Sequence, residues 1–73
     1  MSDPKVQATV FKLGSGFVLA RDEFNECYLI WHTNFSPVGI YGISDCRVGT
    51  VINLVPIEGP KGLRGIECDV VTR

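Results

Sequence analysis

A chain of 73 residues is long enough for one small domain, and its 45% hydrophobic and 21% charged residues are typical of a globular protein. The net charge of −1 gives no overall basic field to draw the protein onto phosphate backbones, although an acidic protein can still carry a local basic groove. No apolar segment approaches the roughly 18 residues that span a bilayer, and the N-terminal MSDPK lacks the apolar core of a secretory signal. We therefore predict a single domain over residues 1–73, cytoplasmic, with no membrane partner.

The residue pattern favours an all-β chain. No helical periodicity persists, and valine, isoleucine and threonine are frequent between glycines that punctuate the chain. Alternation and turn residues predict five strands, over Lys5–Leu13, Gly16–Ala20, Glu26–His32, Val48–Ile57 and Leu63–Thr72.

The first three predicted strands form a meander. The first strand alternates apolar residues on one face until Phe11 and Lys12 break the pattern. Gly14-Ser15-Gly16 forms a tight or bulged link to the second strand, and the polar segment Arg21–Asn25 is a hairpin turn. A long loop over Thr33–Arg47, with room for one short 3₁₀ turn, then leads to the second half.

The last two predicted strands form a hairpin around Glu58–Gly62, whose Gly-Pro and Gly residues are turn signals. Pro56 has no backbone donor, so its end of the fourth strand is expected at an edge or a bulge. A meander of three strands, a crossing loop and a hairpin fit a five-stranded antiparallel barrel like the oligonucleotide/oligosaccharide-binding (OB) fold. An SH3-like barrel fits the strand count nearly as well.

Five short motifs follow one another between about Ala8 and Val71. They are Ala8-Thr9-Val10, Leu13-Gly14-Ser15-Gly16-Phe17-Val18, Leu29-Ile30-Trp31-His32, Val48-Gly49-Thr50-Val51 and Glu58-Gly59-Pro60-Lys61-Gly62. In order and spacing they resemble the Gly-Thr-Val, Lys-Gly-Phe-Gly-Phe-Ile, Val-Phe-Val-His, Glu-Gly-Gln-x-Val and Gly-Pro-rich segments of the cold-shock domain family. The chain looks like a divergent member. The resemblance implies a closed five-stranded barrel that binds single-stranded RNA or DNA on the outer face of strands one to three.

The chain departs from that family where bases would stack. Two of the three motif phenylalanines are replaced, by Ser15 and Ile30, and Lys12 takes the place of an expected tryptophan, so only Phe17 is kept. Strand alternation places six residues on the outer face, namely Phe11, Lys12, Phe17, Tyr28, Ile30 and His32. Lys12, together with Lys61 and Arg64, is expected to contact phosphates.

The same alternation directs Trp31 inward, as a large core residue. A slip of one residue would instead expose Leu29 with Trp31. The three cysteines are unsuited to a disulfide framework or a zinc site, and we expect Cys27 and Cys68 in buried or half-buried strand positions. No cofactor or metal ion is expected.

Two functions follow from these observations. The first is weak binding of single-stranded nucleic acid with little sequence preference, through Phe11, Phe17, Tyr28 and His32. The alternative is a barrel whose outer face, with aliphatic residues such as Ile30 and Leu13 in place of rings, binds another protein or a second copy of the chain. One histidine and no nucleophile–base arrangement argue against an enzyme.

Overall fold

The computed structural model describes residues 5–35, 42–60 and 62–72. Within them the chain forms five strands and two short 3₁₀ turns. The strands are β1 (Val6–Leu13), β2 (Phe17–Arg21), β3 (Cys27–Trp31), β4 (Val51–Gly59) and β5 (Gly62–Thr72). The largest difference from the predicted bounds is the start of β4, which comes three residues after the expected Val48. The reason is a turn in which the Thr50 N–H donates to the Arg47 carbonyl at 3.0 Å.

The strands close into a barrel in the order β1-β2-β3-β5-β4, with β4 returning to β1. Four neighbouring pairs are antiparallel, and β3 pairs with β5 in parallel, where Leu29 lies opposite Arg64. The OB-like barrel is thus confirmed, whereas an SH3-like meander would place β4 beside β3. The barrel is mixed, not wholly antiparallel, because a closed ring with an odd number of strands cannot alternate direction throughout.

The core is built from the inward side chains of all five strands. Its largest fully buried members include Val10, Val18, Ile30, Ile52 and Leu54. β5 approaches this core so closely at Gly65 that an added Cβ would lie 2.9 Å from Leu54 Cδ2 and 3.2 Å from Ile30 Cγ1. A larger residue at this position would need the core to shift.

Both irregularities expected from the sequence are present. The register of β1 against β2 shifts between Val10 and Lys12, so Phe11 occupies a bulge where the alternation breaks. β1 pairs with β4 only over Val51 to Leu54. Among the described residues, Pro56 therefore lies where β5 alone pairs with β4, at an edge of the β1–β4 ladder as predicted.

The connection from β3 to β4 contains two 3₁₀ turns, His32–Asn34 and Ile43–Asp45, where one was expected. Phe35 forms an isolated parallel bridge with Cys68 of β5. Residues 36–41, which include much of the predicted loop, lie outside the described part of the chain. Across the described ranges, no helix is long and apolar enough to cross a membrane.

Candidate functional site

The outer face of the sheet is set by the ladder between β2 and β3. Three pairs of residues face away from the core along this ladder, Phe17 with Trp31, Leu19 with Leu29, and Arg21 with Cys27. The intervening residues Val18, Ala20, Tyr28 and Ile30 are buried. The outer face is therefore more apolar and more aromatic at its Phe17–Trp31 end.

Phe17 and Trp31 form an aromatic pair at that end. Their ring centroids lie 5.6 Å apart with the planes tilted by 57°, a geometry that favours attraction between the positive edge of one ring and the face of the other. Trp31, the only tryptophan, is 38% exposed, and Phe17 is half-buried. The pair thus presents a surface of aromatic rings to solvent.

Two glycines before β2 make room for this pair. The Phe17 ring lies over Gly14, where an added Cβ would lie 2.2 Å from Phe17 Cζ, and the Gly14 N–H donates to the Phe17 carbonyl at 2.9 Å. Gly16 has φ +79°, a left-handed conformation that favours glycine. Its carbonyl accepts from the His32 N–H at 3.0 Å. His32 is exposed, as predicted, and its ring lies next to Gly16.

Two residues predicted on the outer face lie in the core instead. Tyr28 is 4% exposed and Ile30 is 0% exposed, because β3 adopts the opposite inward and outward phase from the one predicted. Trp31 accordingly faces outward with Leu29. This is the alternative in which the strand is shifted by one residue. His32 is exposed as well, since the chain leaves the strand there and enters a 3₁₀ turn.

Tyr28 closes the β2–β3 hairpin from inside. Its hydroxyl donates to Asp22 Oδ2 at 2.7 Å, while Asp22 Oδ1 accepts from the N–H groups of Phe24 and Glu26, each at 2.9 Å. Burial and the bond to Asp22 raise the pKa of Tyr28 to about 12. Burial alone would raise the pKa of Asp22, but these three hydrogen bonds together hold it below its usual range. Tyr28 is a structural anchor and is not placed to stack on a ligand.

Positive side chains lie at both ends of one row across the outer face. Lys12 lies opposite Leu19, which pairs with Leu29, which in turn lies opposite Arg64. Lys12 is exposed and Arg64 is half-buried. Lys61, the third predicted phosphate contact, lies outside the described residues.

Phe11 is on the outer face but already has a partner. The guanidinium carbon of Arg21 lies 4.4 Å from the centre of the Phe11 ring, within the range of a cation–π contact. A base would have to displace Arg21 or share this ring. The predicted site did not include four outward residues, namely Leu19, Arg21, Leu29 and Trp31. A signal for them was present in β1, where polar Gln7 and Thr9 mark the outward face.

A cleft of about 190 Å³ continues this surface beyond Trp31. It lies between β3 and the β4–β5 hairpin, and it is lined by Leu29, Trp31, Pro60, Gly62, Leu63 and Arg64. The Arg64 side chain packs across the hairpin against Gly59. A Cβ added to Gly59 would lie only 2.9 Å from Arg64 Cδ. The cleft and the aromatic pair therefore share Trp31 as a common wall.

The cysteines do not form a site. Cys46 and Cys68 are buried, and burial raises the pKa of the Cys68 thiol to about 12, so Cys68 is an unreactive core residue. Cys27 is exposed, against the prediction, because it shares the outward phase of Leu29 and Trp31. Within 5–35, 42–60 and 62–72, no group of three or more histidine, cysteine, aspartate or glutamate side chains is placed to hold a metal ion.

The comparisons with known proteins leave the surface to be interpreted on its own chemistry. No protein-family model matches the chain, and no curated protein matches its sequence.

Proposed function

We propose that this barrel is a binding protein for single-stranded RNA or DNA, which it holds on the outer face of β1–β3. The observation that carries the proposal is the outward-facing pair of the half-buried Phe17 and the exposed Trp31. Single-stranded bases are unstacked and offer flat π faces, and proteins commonly hold them on aromatic side chains of a sheet. His32, beside Gly16, adds a third ring at the same end.

Charge supports the same surface despite the net charge of −1. Lys12 and Arg64 lie at the two ends of the Leu19–Leu29 row, so the face carries a positive charge on each side of the path of a strand that crosses it. The carboxylates of the β2–β3 hairpin, Asp22, Glu23 and Glu26, lie at its turn, away from the Phe17–Trp31 end. The negative charge of this hairpin is thereby kept apart from the proposed backbone path.

The number of rings sets the expected strength. Each base stacked on an aromatic side chain is worth about 1–3 kcal/mol, so two or three rings favour binding that is weak and tolerant of sequence. The likeness to the cold-shock domain remains part of this proposal. Trp31 supplies an outward ring one position after Ile30, where the motif would place a phenylalanine.

Trp31 also provides the test. As the only tryptophan, its fluorescence reports the proposed site without a label. We expect oligo-dT and oligo-U of about eight nucleotides, within the span of one OB fold, to quench it saturably. A duplex of the same length serves as the control and should bind more weakly. The apparent affinity should fall as salt rises, because bound phosphates release counterions. No saturable change with any single strand would reject the proposal.

The alternative proposal, a protein interface or self-association through the same face, keeps one supporting observation. Leu13, at the end of β1, is 48% exposed beside the aromatic end of the sheet. Ile30 no longer contributes, since it is buried. Sedimentation velocity over a range of protein concentrations tests the self-association form of this alternative. A constant monomer mass argues against the homodimer, and a rise in mass that single strands do not reverse argues for it.

A further inference from the structure

We infer that the cleft between Trp31 and the β4–β5 hairpin binds one guanine base of the strand, and that Arg64 recognises its edge. This inference rests on the proposed function and refines it, because it replaces uniform sequence tolerance with one selective position. The cleft begins where the aromatic face ends, so a strand stacked on Phe17 and Trp31 would deliver its next base there.

The first support is the shape and lining of the cleft. Its volume of about 190 Å³ accommodates a single base and is too small for a folded segment of another protein. Leu29 and Leu63 line it with aliphatic surface, and Trp31 and Pro60 add rigid flat groups. Such walls favour the face of a base over a hydrated phosphate, because a phosphate would lose water contacts that apolar side chains do not replace.

The second support is the state of the Arg64 side chain. Its Nε is buried and has no hydrogen-bond partner, and no other described residue accepts a hydrogen bond from this side chain or forms an ion pair with it. A buried donor without an acceptor is costly and is rare in folded proteins. Because Arg64 lines the cleft, a ligand bound there would bring hydrogen-bond acceptors next to its guanidinium group.

The third support is the chemistry of the guanidinium fork. Arginine offers parallel N–H donors, and guanine is the base that presents two adjacent acceptors, O6 and N7, on one edge. Adenine has an amino donor in place of O6, which would face the donors of Arg64. The contact of Arg64 with Gly59 and its place opposite Leu29 in the ladder hold the side chain at the cleft.

The test compares oligo-dT of about eight nucleotides with the same strand carrying one central dG, dA or dC, by fluorescence anisotropy of end-labelled strands. We expect the single dG to tighten binding about tenfold, as a bidentate arginine contact does, and dA and dC to change it by less than about threefold. Arg64→Lys should abolish the dG gain, so that the dG strand and oligo-dT bind this variant alike, because lysine keeps the positive charge without the guanidinium fork.

Arg21→Lys is the matched control, since Arg21 lies on the same face but outside the cleft and should keep the dG gain. Circular dichroism melting of each variant shows whether the barrel is intact. Equal binding of all four strands by the parent protein would overturn the inference and leave the proposed function standing. An equal loss on every strand in Arg64→Lys would also overturn it, by identifying a phosphate contact. Failure of every strand to bind would reject both.

Discussion

Trp31 lies directly across the β2–β3 ladder from Phe17, and their ring centroids are 5.6 Å apart on the outer face of the barrel. Two aromatic side chains at one end of a sheet, both at least partly open to solvent, are the main chemical feature of this surface. Their removal is the most direct way to separate a binding face from an incidental one.

Phe17→Ala should weaken binding of oligo-dT about tenfold, the loss expected for one stacked base. Phe24→Ala is the matched control, because Phe24 is 77% exposed in the turn at the other end of the same hairpin. Titration of each variant, followed by Trp31 fluorescence, measures both effects. Equal losses in the two variants would show that binding does not depend on the outer-face pair.

Gly14→Ala should disturb the site without removing a ring. Its new Cβ would lie 2.2 Å from Phe17 Cζ, so the Phe17 ring must swing away from the position that it shares with Trp31. We expect weaker binding and a shifted Trp31 emission maximum. Gly42→Ala is the control, since no atom of the described residues lies within 4 Å of its added Cβ. Unchanged emission in Gly14→Ala would mean that the ring does not rest on this glycine in solution.

Tyr28 predicts a fall in stability at high pH. Its pKa is about 12 in the folded chain against an ordinary value of 10.0, so the unfolded chain loses the proton first. The contribution of the protonated Tyr28 to the free energy of unfolding is complete below pH 10 and is lost as the pH rises toward 12. Burial likewise raises the pKa of Cys68 from its ordinary value of 9.0 to about 12, so its thiol also stabilises the folded chain less as the pH rises.

Tyr28→Phe should therefore be less stable than the parent at neutral pH, because Asp22 loses the 2.7 Å hydrogen bond. The difference between the two proteins should then shrink between pH 10 and 12. Urea unfolding at a series of pH values measures both curves, and the Cys68 contribution is common to them. A difference that stays constant with pH would contradict the assigned role of Tyr28.

The sequence predicted the barrel and its turns better than the face of β3. β1 alternates polar Gln7 and Thr9 with apolar Ala8 and Val10, so the sequence shows which of its residues face the core. β3 is apolar at four consecutive positions, 28–31, so alternation alone carries no phase there. Residues paired across neighbouring strands point to the same side of the sheet. Val10 pairs with Ala20 and Ala20 pairs with Tyr28, so the inward position of Val10 fixes Tyr28 as inward too.

The cleft was beyond sequence reasoning for a different reason. Leu29 and Arg64 are far apart in the chain and meet through the parallel pairing of β3 with β5, which the predicted antiparallel barrel did not contain. The position of Arg64 in the turn region suggested a phosphate contact, whereas its place next to Gly59 and in the wall of the cleft follows only from the closed barrel.

Ile30→Phe tests the phase of β3 most directly. If position 30 were on the outer face, this change would restore a motif ring and strengthen binding. Ile30 is fully buried and approaches Gly65, so the larger ring must instead overpack the core. We expect a loss of about 1–3 kcal/mol in the free energy of unfolding.

Binding at a temperature where the variant remains folded should not improve. Leu29→Phe is the matched comparison, because its neighbouring position faces outward and lines the cleft. That variant should keep most of its stability while altering binding. Urea unfolding and oligo-dT titration of both variants should show lower stability without improved binding for Ile30→Phe, and nearly unchanged stability with altered binding for Leu29→Phe. A stable Ile30→Phe protein with tighter binding would place residue 30 on the surface and reverse the assignment of the whole strand, Trp31 included.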